Sequence, residues 1–94
     1  YVSPFEVEAA LQKHTSVFEA AVVANKDEND LIKPKAFIVL NDNYEQSKKL
    51  ELELTTHVKS VLTPFKYPRW YEFVDDLPKT STGKIQRYKL RKIE

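Results

Sequence analysis

The 94-residue sequence predicts an α+β fold, a small two-layer domain in which a three-stranded sheet is packed with helices. Two observations lead there. Apolar residues recur at helical spacing near the start and again in the middle of the chain, and three short stretches rich in β-branched or aromatic residues lie between and after them. The resulting order is helix, strand, strand, helix, strand, loop, helix, which segregates the helices over a small sheet. A chain of this length buries somewhat more than ~60% of its unfolded surface. It can build one core, with little volume left for a deep private pocket.

Each element has a local cause. Ser3-Pro4-Phe5-Glu6 reads as a helix start, with Ser3 as the cap, Pro4 at the first helical position and Glu6 reaching back. Val7, Ala10, Leu11 and His14 then follow at i, i+3, i+4 and i+7, so the helix is expected to end near His14. Residues 18–24 read as a first strand, residues 26–33 as a polar turn, and residues 35–40 as a second strand antiparallel to the first. Leu50, Leu54, Val58, Val61 and Leu62 form the stripe of a helix over about 47–62, ended by Thr63-Pro64. Residues 69–74 read as a third strand, 79–83 as a polar loop, and 86–93 as a short basic helix. Leu11, Val22, Phe37, Leu54, Val58 and Phe73 are the expected core.

Composition excludes several function classes. Fifteen basic and fourteen acidic residues nearly cancel, so the global charge names no partner. Cysteine is absent, which removes disulfides and thiolate metal sites. The longest apolar runs, such as residues 36–40, are far too short to span a membrane. No signal peptide is visible, and the chain opens on Tyr-Val-Ser-Pro without a Met, as a cut fragment would. Average glycine usage of roughly 7% would give about six or seven glycines. There is one, Gly83, directly before Lys84.

The residues that could carry chemistry are few. Pro78-Lys79-Thr80-Ser81-Thr82-Gly83-Lys84 has the small hydroxyls and the Gly-Lys pair of a phosphate loop. It lacks the earlier glycine and the Ser or Thr after the lysine that a P-loop needs. Residues 79–94 carry six basic residues against Glu94 alone, a net +5, yet no nucleic-acid recognition motif accompanies them, and a solvated basic helix is the simpler reading. His14 and His57 have no carboxylates at ligand spacing and are expected at the edge of the core. Asp27, Glu28 and Asp30 suggest a solvated tip, without the spaced ligands of a calcium loop.

Three motifs carry the reading further. Val2-Ser3-Pro4-Phe5-Glu6-Val7-Glu8, Leu62-Thr63-Pro64-Phe65-Lys66-Tyr67-Pro68 and Leu77-Pro78-Lys79-Thr80-Ser81-Thr82-Gly83-Lys84-Ile85-Gln86-Arg87 resemble, in order and spacing, core motifs of the adenylate-forming superfamily. That superfamily includes acyl- and aryl-CoA ligases, peptide-synthetase adenylation domains and beetle luciferases. Lys33-Pro34-Lys35-Ala36-Phe37 and Tyr67-Pro68-Arg69-Trp70 look most like the benzoate-type CoA ligases.

The resemblance implies that residues 1–94 are the C-terminal lid domain of an acid:CoA ligase whose large N-terminal domain is not in this chain. It implies ATP, CoA and Mg²⁺ as cofactors, held mainly by that N-terminal domain, and a small carboxylic acid, aromatic by preference, as substrate. Lys84 is implied as the catalytic lysine of adenylation. Tyr1, Val2 and Ser3 are implied to help line the pantetheine tunnel, and Gly83 to let the backbone approach the ligand. A lysine acetyltransferase is an implied regulator through Lys84. Neither nucleic acid nor membrane is implied as a partner, the implied compartment is cytoplasmic, and the hinge residue is expected upstream of Tyr1. Two other readings stand beside this one: the lid of a carrier-protein adenylation domain, and a free-standing basic interaction module.

Overall fold

The computed structural model describes residues 4–62 and 66–91, with Arg91 through its backbone alone. The elements are α1 (Pro4–Gln12), β1 (Val17–Lys26), β2 (Ile32–Leu40), α2 (Lys48–Val61), β3 (Trp70–Phe73) and α3 (Arg87–Arg91). The sheet order is β1-β2-β3, with β1 antiparallel and β3 parallel to the central β2. The parallel step needs a crossover, and α2 supplies it.

Both faces of the sheet are covered, and this explains why β1 and β2 read as nearly unbroken apolar runs. On one face, Ala20, Val22, Ala36 and Ile38 meet Val7, Ala10 and Leu11 of α1 and Leu50, Leu54 and Val58 of α2. On the other, Ala21, Val23, Phe37 and Val39 meet Leu77 and Leu90. The two-layer body of sheet and long helices thus carries a smaller second cluster beneath α3 and the segment before it. Leu11, Val22, Phe37, Leu54 and Val58 are fully buried as expected. Phe73 is half-buried and only packs against the first cluster, because β3 is a four-residue edge strand.

Several boundaries move for physical reasons. The first helix ends at Gln12, and His14 lies in the turn that follows. A bulge between Val17 and Glu19 turns the apolar Phe18 outward, 65% exposed. Pairing runs on to Lys26↔Ile32, so the expected polar turn at 26–33 shrinks to five residues. The Asp27 carboxylate closes that turn by accepting the N–H groups of Asn29 and Leu31, and Asp30 adopts φ 65°. These bonds, the Leu31 one foremost, hold the Asp27 carboxyl below its ordinary range. Pro34 sits inside the central strand without harm. Like Ala36 it faces away from β1, one residue before the first β2–β3 pair, Lys35↔Trp70, and its carbonyl accepts from Arg69 N–H at 2.8 Å.

Helix α2 is capped as a sequence of this kind requires. The Ser47 hydroxyl accepts from Leu50 N–H at 3.0 Å, and Leu62 turns extended at the other end. The proposed stop at Thr63-Pro64 lies outside the described residues. Both histidines sit at the core edge, their rings 5.1 Å apart edge to face. His57 Nε2 donates to Ala10 C=O, and His14 Nδ1 accepts from Ser16 N–H. Among the described residues no helix is long and apolar enough to cross a membrane.

Candidate functional site

Residues 77–87 form a closed loop that presents Lys84. Its entry is Leu77, buried in the second cluster, and its exit is α3, whose Leu90 is buried beside it. Between them the backbone folds back on itself. Lys79 pairs with Ile85 as an isolated antiparallel bridge, and Gln86 N–H donates to Pro78 C=O at 2.8 Å. Thr80 N–H donates to Lys84 C=O at 2.8 Å, and Gly83 N–H to Thr80 C=O at 2.9 Å. The Thr80 hydroxyl accepts from Lys84 N–H at 3.1 Å and touches the Thr82 hydroxyl at 3.0 Å. The Thr80 and Thr82 hydroxyls thus bond within the loop, while Ser81 stands exposed.

Gly83 has φ +88°, where a side chain would be strained. A Cβ there would meet nothing within 4 Å. Within this domain the glycine therefore serves the turn. Lys84 is exposed, and among the described residues its ammonium has no hydrogen bond or ion pair. Its backbone is bound on both sides while its charge is free to meet an anion.

Two ion pairs tie the arms of the loop to the body of the domain. On the entry arm, Lys79 Nζ reaches Glu19 of β1 at 2.8 Å and Asp76 at 3.0 Å. The Glu19 hydrogen bond, before all else, raises the Lys79 ammonium pKa, and the Lys79 hydrogen bond lowers that of Asp76. On the exit arm, Arg87 forks onto Glu8 of α1. Its Nε donates to Oε2 at 2.6 Å, and a second guanidinium N–H donates to Oε1. Glu8 is 6% exposed and also accepts from Val22 N–H of β1 at 2.8 Å. The hydrogen bonds to Glu8 push the Arg87 pKa up. The Arg87 guanidinium also lies 4.8 Å from the centre of the Phe5 ring.

The basic tail is therefore not simply solvated, because Arg87 is locked to a buried carboxylate. The sequence marked Arg87 and Glu8 only as members of two motifs, and nothing local in it pairs residues 79 positions apart. Tyr1, Val2 and Ser3, the other residues expected at the site, lie outside the described residues. Among the described residues no three His, Cys, Asp or Glu side chains converge, so these residues do not fit a Mg²⁺ site. A surface groove of about 380 Å³ opens between residues 39–46 and 73–75, and neither Lys84 nor Gly83 lines it.

Comparison with known proteins gives the family. The family model of the AMP-binding enzyme C-terminal domain matches residues 6–84. The chain is 65% identical over 91 residues to the benzoate–CoA ligase of Thauera aromatica, covering 97% of this chain and 17% of that protein. Among solved structures it is similar to a benzoate CoA ligase from Burkholderia xenovorans LB400, with a TM-score of 0.87 and 56% identity over 97% of this chain and 18% of that one. It is likewise similar to an anthranilate CoA ligase in complex with anthranoyl-AMP, with a TM-score of 0.91 and 50% identity over 98% of this chain and 18% of that one. The chain thus spans about a sixth of the length of the relatives it matches, and it belongs to the family of AMP-binding enzyme C-terminal domains.

Proposed function

We propose that this domain is the mobile lid of an ATP-dependent acid:CoA ligase that acts on an aromatic acid such as benzoate, and that Lys84 is its catalytic lysine. The observation that carries the reading is the free Lys84 ammonium on a rigidly closed loop, in a chain so similar to benzoate- and anthranilate-CoA ligases. The acid attacks the α-phosphate of ATP, giving an acyl-adenylate and pyrophosphate, and the CoA thiol then displaces AMP. In the first step charge builds on phosphate oxygens between the carboxylate and the leaving pyrophosphate. An ammonium touching both sides stabilises that charge and aligns the partners. Lysine suits this because it is a compact charge on a flexible stem.

For the second step the lid turns, Lys84 withdraws, and Tyr1, Val2 and Ser3 line the pantetheine tunnel. The large N-terminal domain, the lid's partner, holds the acid, ATP and Mg²⁺, so this domain alone is inactive. The ligase works in the cytoplasm, and a lysine acetyltransferase silences it by removing the Lys84 charge.

The two half-reactions test this in the full-length protein. Lys84→Ala should slow adenylation, read as pyrophosphate exchange, by roughly 10²–10³. It should leave thioester formation from pre-made acyl-adenylate near its normal rate, and acetylation of Lys84 should have the same split effect. Ser3→Phe should show the reverse, in a variant shown to remain folded. If folded Lys84→Ala and Ser3→Phe variants lose both half-reactions equally, the two-pose lid is wrong.

A further inference from the structure

We propose that Glu8 and Arg87 are positioning residues for Lys84: their forked ion pair sets where the loop holds the lysine, and so sets the rate of adenylation and not of thioester formation. This rests on the role given to Lys84 above. The argument begins with the chain between them. Only Ile85 and Gln86 separate Lys84 from Arg87, a span of at most roughly 10 Å. Both are held: Ile85 by its bridge to Lys79, and Gln86 by its bond to Pro78 C=O. A displacement of Arg87 thus passes along a hydrogen-bonded ladder to the Thr80–Lys84 closure, with no slack segment to absorb it.

Arg87 is fixed in turn by Glu8. The Glu8 carboxylate takes two donors from Arg87 and one from Val22 N–H, in a side chain 8% exposed. A forked guanidinium–carboxylate pair fixes direction as well as distance. The Lys79 contacts on the other arm are single-point ammonium bonds; the two cations are about equally exposed, but the acceptor Glu19 is 23% exposed against 8% for Glu8. Since Glu8 belongs to α1 and Val22 to β1, the exit arm is referenced to the rigid body of the domain.

Glu8 is also out of reach of any substrate that Lys84 touches, because it is buried and its oxygens are occupied by Arg87 and Val22. Its effect must pass through Lys84. That gives a signature no merely structural pair would show.

The test uses the full-length protein with benzoate as the acid. Arg87→Lys keeps the charge but loses the fork, and Glu8→Gln keeps an acceptor for Val22 N–H but loses the charge. A misplacement of about 1 Å at a catalytic group costs on the order of 10²-fold. Each variant should therefore lower kcat of pyrophosphate exchange by roughly 10–100-fold with KM for ATP and benzoate unchanged, and leave thioester formation from benzoyl-adenylate intact. In a Lys84→Ala background, Arg87→Lys should cost nothing further in exchange. Equal loss in both half-reactions, a loss that multiplies with Lys84→Ala, no loss at all, or failure of both variants to fold would each overturn the proposal. The Lys84→Ala control separates the failures. If it leaves exchange intact, the role of Lys84 itself has failed, and the fork has nothing to position.

Discussion

Replacing Phe37 by Ala tests how much of the Lys84 loop depends on the second core cluster. Phe37 is fully buried among Ala21, Val23, Val39, Leu77 and Leu90, with Lys35 Nζ 4.9 Å from its ring centre. Ala21, Val23 and Val39 belong to paired strands and cannot move in to fill the space. The other neighbours, Val74, Leu77, Ile85 and Leu90, all lie in the stretch from the end of β3 to α3 that carries the loop. The cost is therefore that of a cavity that closes poorly, about 3–5 kcal/mol. A domain of this size has roughly 5–14 kcal/mol in total. At about 4–8 °C per kcal/mol the melting temperature should fall by at least about 12 °C. Thermal unfolding of the 94-residue chain, followed by circular dichroism, measures it. Phe73→Ala, at a half-buried site, should lose clearly less. Equal losses, or a Phe37→Ala melt within a few degrees of the parent, would refute the idea that the loop stands on a packed face.

Two further outcomes follow from other sites. Gly83→Ala should cost about 1–2 kcal/mol through the backbone alone, because φ is +88° and the space is open; Gly83→Asn should lose less, and urea midpoints distinguish them. Burial, with Glu51 adding to it, pushes the Tyr71 hydroxyl up to about 12 from the ordinary 10, while its hydrogen bond with Thr55 pulls the other way. A folded pKa raised above the unfolded one favours the protonated folded state. That contribution, roughly 2–3 kcal/mol, is complete below pH 10 and lost between 10 and 12. Tyr71→Phe should flatten stability over that window, and an unchanged alkaline slope would count against the burial of this hydroxyl.

Periodicity made the two long helices and all three strands legible, because each buries a stripe or a face. Their ends were less so. The bulge at Phe18 and the pairing of Lys26 with Ile32 depend on the partner strand, and no local residue announces them. Lys84 and Gly83 were singled out by the resemblance of residues 77–87 to a family motif, since by residue chemistry alone a Gly-Lys pair reads as a solvated loop. Glu8 was not, since a glutamate one place from Val7 on an amphipathic helix looks like a solvated flank until Arg87 and Val22 converge on it. Leu77 and Leu90 were missed as core for a related reason: their cluster lies on the face the long helices leave bare, and its cover is a loop.

The way α1 lies beside β1 has a consequence for self-association. β1 is an outer strand of the sheet, and an outer strand offers unpaired N–H and C=O groups to any other extended chain. Here Glu8 takes Val22 N–H at 2.8 Å, and Gln12 Nε2 reaches Ala20 C=O at 3.5 Å. Four residues of helix rise about 6 Å, and two residues of strand about 6.6 Å. Side chains one helical turn apart therefore fall in step with alternate groups of the strand, and α1 stands in for a fourth strand. The same carboxylate that holds the lysine loop closes a seam along which two copies of the domain could otherwise zip together.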